Sequence, residues 1–302
     1  MSALIRPLDS GRVACVILAH NDPAHVRRLV SALDPFPVYL HCDARTSKNE
    51  YGAMLGDPTS RVIPLRRRPT PWAGWGLVAA ELDGLREAVR DPAIDHVVVL
   101  QGSDYPLAST LSISAELARS SGLSITTAEV LPRAQWSGRG GMSRLRYRHW
   151  AVRRRMIRMP IPRRLPRGIV PAGGGLNKVL SRSHVLRILA LYSERPELAT
   201  FWRRTWVPDE TFVNTALETA IAGEPRAQHI VARSLWFTDW GQHRQKSPAW
   251  LTDRHRERLE TARSDPDRKL FARKFSTETS SDLLGFVDNH LRLDEPAQPY
   301  LE

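Results

Sequence analysis

Three groups of residues in this chain have the types and spacing to do chemistry together. The first is Glu210, which follows Pro208 and Asp209 in TWVPDETFVNTALETAIAG, residues 205–223. Proline suits a first helical turn, acidic side chains suit its positive end and Gly223 can stop it, so the pattern predicts a helix with Glu210 at its mouth. A carboxylate held on a rigid element can take a proton from a bound hydroxyl; acidic residues after a proline are also ordinary helix-start chemistry. The second group is Arg273-Lys274, two adjacent cations framed by Phe271 and Phe275. A solvated charge run needs no such apolar frame, so these cations are expected to be held toward something negative. The third group is the polar residues that end apolar runs: Ala19-His20, Asp43 and Asp104.

The elements that must position these residues follow from periodicity. Phe212, Val213, Ala216, Leu217, Ala220 and Ile221 recur at three- and four-residue spacing, which anchors the helix behind Glu210. Val13 to Ala19 is continuously apolar and breaks into His20-Asn21-Asp22-Pro23; Val26, Leu29, Val30 and Leu33 then mark an amphipathic helix with Asp22 as its cap. Val38 to His41 is a second strand, ending in Cys42-Asp43. A strand, helix, strand opening predicts a parallel pair with a ligand crevice at the carboxyl ends of the strands, where Ala19, His20 and Asp43 lie. No glycine-rich phosphate loop follows the first strand. Arg61 to Leu65 is a third strand candidate, a helix runs from Leu77 to about Val89, and His96 to Leu100 is another apolar strand leading to Asp104.

From Ser137 the texture changes to a segment dense in arginine and broken by Pro160, Pro162, Pro166 and Pro171, a long excursion whose prolines argue against a continuous helix. Gly173-Gly174-Gly175 allows a close backbone approach to a ligand and is equally a flexible joint. Ser183 is placed as the cap of a helix through Tyr192, and Leu251 to Ala262 forms another helix. Trp236, Phe237 and Trp240 crowd three aromatics into five residues; their faces could stack on sugars or bases, or pack a core.

At 302 residues and 42% hydrophobic content the chain can bury one large α/β domain. It divides into residues 11–135, a nucleotide-binding half, residues 136–172, the basic excursion, and residues 173–295, the half that carries Glu210 and the Arg273-Lys274 pair, with a frayed tail from Pro296. The first apolar run is too short for a membrane span and unlike a signal peptide, so a soluble, cytoplasmic protein is expected, with at most peripheral membrane contact. Cys15 and Cys42 each lie inside an apolar run and are expected as buried thiols without a metal. Net charge is +12, much of it in Arg139 to Arg167, which suggests an anionic partner: nucleotide, phosphorylated glycan, nucleic acid or membrane surface. A non-catalytic binder of nucleic acid or anionic glycan through that segment is the rival to an enzyme.

The order of motifs resembles the core-2/I-branching family of β-1,6-N-acetylglucosaminyltransferases, which includes peptide O-xylosyltransferases. The pieces are ILAHND (17–22), LHCDA (40–44), WAGWGLVAA (72–80), LQGSDYPL (100–107), GGGLNKVLSRSHV (173–185), WVPDE (206–210) and LFARKF (270–275). The resemblance implies a glycosyltransferase-A-like α/β fold, a UDP-sugar donor, an inverting mechanism, and no cofactor or metal. It makes Glu210 the catalytic base, Asp43 a nucleotide contact and Lys274 a diphosphate-binding cation, with Arg273 beside it and Ala19 and His20 on the nucleotide side. Asp104, Tyr147, Arg148, Asp209 and Trp240 are placed on the acceptor side. Gly76 stands where relatives often have serine. Many sugar transferases meet the leaving diphosphate with a metal held by an Asp-x-Asp pair, whereas Asp43 and Asp104 are single. A fixed cation about 4 Å from the leaving oxygen is worth roughly 4 kcal/mol at an effective dielectric of 20, enough to replace much of a metal's role. N-acetylglucosamine is the first donor sugar expected and xylose the second, with a glycan, natural product or protein as acceptor.

Overall fold

The computed structural model describes residues 12–56, 61–152, 155–241 and 247–293; Arg153 and Arg154 of the basic segment and the tail from Pro296 lie outside the described residues. In chain order the strands are β1 (Val13–Ala19), β2 (Val38–Cys42), β3 (Val62–Pro64), β4 (His96–Gln101), β5 (Asp104–Pro106), β6 (Ser124–Ile125), β7 (Glu129–Val130), β8 (Tyr147–Val152), β9 (Arg155–Pro162), β10 (Ala172–Gly173), β11 (Lys178–Ser181), β12 (Ile230–Val231), β13 (Trp236–Thr238) and β14 (Phe271–Arg273). Seven form the central sheet in the order β12-β6-β11-β4-β1-β2-β3, and all but β11 run the same way. This is the mixed α/β class expected, with a parallel-dominated sheet between helices.

The sheet explains why its central strands are apolar at every position. Along β1, Cys15 and Ile17 enter one core while Ala14, Val16 and Leu18 enter the other, and β4 divides in the same way. Successive side chains point to opposite faces, so a strand covered on both sides must be apolar throughout. The helix Pro23–Ala32 follows β1, capped by Asp22, whose carboxylate accepts from the His25 amide at 3.2 Å. The helix Trp75–Ala88 lies against β1 at Gly84, where a Cβ would stand 2.4 Å from Val16 Cγ1. Gly84→Ala sets up to about 1 kcal/mol of helix propensity against overpacking of about 1–3 kcal/mol. The clash wins, and urea unfolding of the variant should show a lower midpoint with an unchanged m-value.

β11 reverses direction because the chain returns from the excursion at the carboxyl end of β4, pairing Lys178 with Val99 and Ser181 with His96. Ser181, rather than Ser183, caps the following helix Arg182–Glu194 through the His184 amide. The excursion forms an antiparallel hairpin of β8 and β9, so its prolines break a helix as expected while tolerating an isolated two-stranded ribbon. A second small sheet, β13-β14-β5, pairs Arg273 with Asp104 and so carries the C-terminal cations to the end of β4.

Candidate active site

The carboxyl ends of β1, β2 and β4 make one edge of the sheet, and three separate returns of the chain meet it. At the end of β2, Asp43 is 2% exposed and accepts from the Arg45 amide at 2.8 Å, the Arg45 guanidinium at 2.6 Å and the Thr70 hydroxyl at 2.5 Å. Burial alone would raise its pKa, but the bonds from Arg45 and Thr70 outweigh it and hold the carboxyl well below the usual range. Ala19 is buried beside it, its carbonyl accepting from the Asp43 amide at 3.0 Å. His20 projects from the same edge. Desolvation lowers its pKa, Asp43 opposes, and Arg45 and Lys274 push the same way as desolvation; the chain brings Lys274 to this edge, where the Phe275 amide donates to the Ser103 carbonyl at 2.8 Å just beyond β4.

The two adjacent cations turn to different surroundings. Arg273 turns inward, donating to Asn177 Oδ1 at 2.8 Å and Gln101 Oε1 at 3.0 Å, with Nε 3.5 Å from Asp104. Asp104 is fully buried and also takes the Gln101 amide at 2.8 Å and the Trp236 indole at 3.3 Å. Both residues take part in an internal network that joins β4, β14 and the segment leading into β11, which gives Asp104 the loop-fixing role that its place after an apolar strand also allows. Lys274 keeps an ammonium without a carboxylate partner among the described residues: its Nζ donates to Ser247 Oγ at 2.7 Å and lies 4.4 Å from the Trp250 ring centroid. Trp240, 52% exposed, sits in the same rim, where the Asp239 carbonyl accepts from the Ala249 amide at 2.8 Å and the Ala249 carbonyl accepts from the Lys274 amide.

Glu210 arrives on a separate turn. Thr211, at φ −126°, breaks the expected continuous helix, so Pro208–Glu210 forms its own 3-10 turn ahead of the helix Phe212–Ala220, which is buried on nearly every side. Val207 enters the turn in the left-handed region at φ 48°. The Glu210 carbonyl accepts from the Gly174 amide and from Asn214 Nδ2, each at 3.0 Å. Gly174 is three residues from Asn177, which holds Arg273, so the turn and the cation network share one support. The Glu210 side chain is 36% exposed and receives a bond from Arg144. That guanidinium lies 4.0 Å from the Trp136 ring centroid and 5.4 Å from that of Trp206.

Sequence reasoning does not single out Arg144, Trp136, Asn177, Arg45 or Thr70. Arg144 hides among equivalent arginines, and only the tertiary pairing distinguishes it. At two of the three glycines the packing itself leaves no room for a side chain: a Cβ on Gly173 would strike Trp136 at 2.6 Å and one on Gly174 would strike Ala128 at 2.7 Å. Gly76 likewise meets Pro69, whose carbonyl oxygen would lie 2.1 Å from a Cβ. Tyr147 and Arg148 start the hairpin and lie on the excursion side, with the Arg158 guanidinium 5.0 Å from the Tyr147 ring centroid. Among the described residues no three His, Cys, Asp or Glu side chains gather as metal ligands, and no helix is long and apolar enough to cross a membrane.

Residues 13–261 match the family model described as Core-2/I-Branching enzyme. The chain belongs to that family. This Core-2/I-Branching chain is 26% identical to xylosyltransferase 2 of Homo sapiens, over 95% of its own length and 34% of the relative's. It is 25% identical to xylosyltransferase 1 of Homo sapiens, over 96% of its length and 31% of the relative's. It thus spans about a third of the curated relatives it matches. Among solved structures it is similar to a 4-diphosphocytidyl-2C-methyl-D-erythritol synthase from Anaerococcus prevotii at 13% identity, covering 63% of this chain and 77% of that one, with a TM-score of 0.35.

Asp209 shares the turn that carries Glu210 in this Core-2/I-Branching fold. The residue is only partly buried; desolvation, then the Glu210 charge, raise its pKa to about 7, with Glu81 adding and Lys178 opposing. The folded state therefore holds a proton that the unfolded chain sheds above about 4, and stability falls as pH rises from about 4 to about 7. Buried histidines whose pKa is lowered, such as His41 and His184, contribute the opposite slope as they lose their protons in the unfolded chain. The Asp209 contribution is isolated by difference. Asp209→Asn should gain stability relative to the parent between pH 4.5 and pH 7.5, measured as urea midpoints; a constant difference would show the carboxyl to be solvated.

Proposed function

We propose that the chain is an inverting glycosyltransferase that moves a sugar from a UDP-sugar to an acceptor hydroxyl. Glu210 takes the hydroxyl proton as the acceptor oxygen bonds to the anomeric carbon, while the bond from that carbon to the diphosphate breaks and UDP leaves with the electron pair. Lys274 meets the charge that develops on the diphosphate, and Asp43 orients the nucleotide at the end of β2. The observation that carries the reading is Lys274, a fixed ammonium without a carboxylate partner among the described residues, at the same sheet edge as Asp43 and the support of the Glu210 turn.

Arg144 occupies the Glu210 carboxylate as the molecule stands, and the acceptor hydroxyl takes that place during turnover. Because a side-chain cation supplies the stabilising charge, EDTA is expected to change the rate little. The names of the relatives put UDP-xylose beside UDP-N-acetylglucosamine as the donors to compare first. A thermal-shift panel of nucleotide sugars tests the donor class, and indifference to every UDP-sugar would reject it. Lys274→Met should weaken UDP by about ten- to a hundredfold, the worth of a charged hydrogen bond, while leaving uridine affinity unchanged. Equal losses for UDP and uridine, measured by calorimetry, would show that Lys274 does not face the diphosphate.

A further inference from the structure

A cleft of about 940 Å³ lies between the β8–β9 hairpin and the chain that leads to Glu210, and five arginines line it: Arg148, Arg163, Arg164, Arg203 and Arg204. The acid in its lining, Glu197, is already held by Arg195 at 2.7 Å, and none of the five arginines has a carboxylate partner among the described residues. Unpaired surface arginines are ordinary, but this floor is built. Arg163 donates to the carbonyls of Leu145 at 2.9 Å and Phe201 at 2.7 Å and to the Thr205 hydroxyl at 2.7 Å, with its guanidinium 3.6 Å from the Phe201 ring centroid. All three acceptors are neutral, so the fold fixes the cation without neutralising it. Burial, then the like charge of Arg148, pull its pKa down to about 10, a cost that an anion in the cleft would relieve. Trp75, Trp150 and Phe201 add aromatic faces to the lining, and Arg204 lies 5.3 Å from the Trp150 centroid.

We propose that this cleft binds an oligosaccharide bearing an anionic group on successive sugars, as the distal part of the acceptor. Flat aromatic faces suit sugar rings, and fixed guanidinium forks suit carboxylate, sulfate or phosphate substituents. The cleft adjoins the site just described: Leu145 and Thr205, which pin Arg163, are the chain neighbours of Arg144, which binds the Glu210 carboxylate, and of Trp206, whose ring centroid lies 5.4 Å from the Arg144 guanidinium. The assignment of this ligand as an acceptor rests on the transferase reading; the binding itself does not.

Binding of a galacturonate hexamer is to be followed by tryptophan fluorescence, with maltohexaose as the neutral comparison. The hexamer should bind more tightly than maltohexaose, and Arg148→Ala/Arg204→Ala should weaken it by about tenfold or more, two charged contacts being removed. The control Arg90→Ala/Arg119→Ala removes two exposed arginines elsewhere, 70% and 69% exposed, and should bind as the parent does. Equal loss in both pairs would reduce the effect to bulk charge and overturn the proposal. So would tighter, Arg148- and Arg204-dependent binding of a thymidylate hexamer or hexaglutamate, which would make the cleft a nucleic-acid or acidic-peptide site. Glu210→Gln should bind the hexamer normally. Arginine-dependent binding that survives a failure of the transferase reading would leave the cleft standing as a glycan site, whereas intact transfer with no hexamer binding would remove the cleft alone.

Discussion

Glu210→Gln is expected to lower kcat by about 10²–10⁴ while UDP affinity stays within about twofold of the parent. The substitution keeps the shape of the side chain and an oxygen for Arg144, so the turn Pro208–Glu210 has no reason to move; its carbonyl contacts to Gly174 and Asn214 are backbone-mediated on the Glu210 side and survive. What disappears is a group that can accept a proton. In the proposed reading UDP is held by Asp43 and Lys274, which reach the sheet edge on other elements, so the two properties should separate. Single-turnover transfer and calorimetric titration of UDP measure them. Retained turnover would reject Glu210 as the base, and joint loss of turnover and UDP affinity would make it a structural residue of the donor pocket.

Much of this arrangement is legible in the amino-acid sequence. β1 and β4 announce themselves because both of their faces are buried, and Asp22 does so because a cap must sit directly before an amphipathic run. The position of Glu210 ahead of an apolar helix is also visible, although the break at Thr211 is not: nothing in the local propensities distinguishes a continuous helix from a 3-10 turn followed by one. Arg273 and Lys274 show the limit most sharply. Their shared apolar frame signals that they are held, but which of two neighbours turns inward depends on Asp104 and Asn177, residues distant in sequence. Arg144 is illegible for a different reason. In a segment so dense in arginine, composition carries no information about the one whose guanidinium lies within reach of two tryptophan rings.

Glu81 goes unremarked in the sequence reading, although its spacing carries a signal. It stands between Leu77 and Leu85 at four-residue spacing, a carboxylate on the apolar stripe of the helix Trp75–Ala88. It pairs with Lys178 at 2.9 Å, and both side chains are wholly buried. Burial pushes the Glu81 carboxyl up and Lys178 pulls it back, while its second oxygen has no hydrogen-bond partner among the described residues. Removing one member of such a pair strands the other, so Glu81→Leu should cost about 3–5 kcal/mol of stability, whereas Glu81→Leu/Lys178→Met should recover most of that loss, because the desolvation of both charges is then avoided together. Urea unfolding of the two single variants and the double variant forms the cycle, and a cost under about 1 kcal/mol for Glu81→Leu would mean that the ammonium reaches water. The helix that carries Glu81 also packs against the turn Pro208–Glu210, so the same buried pair supports the element that presents the candidate base.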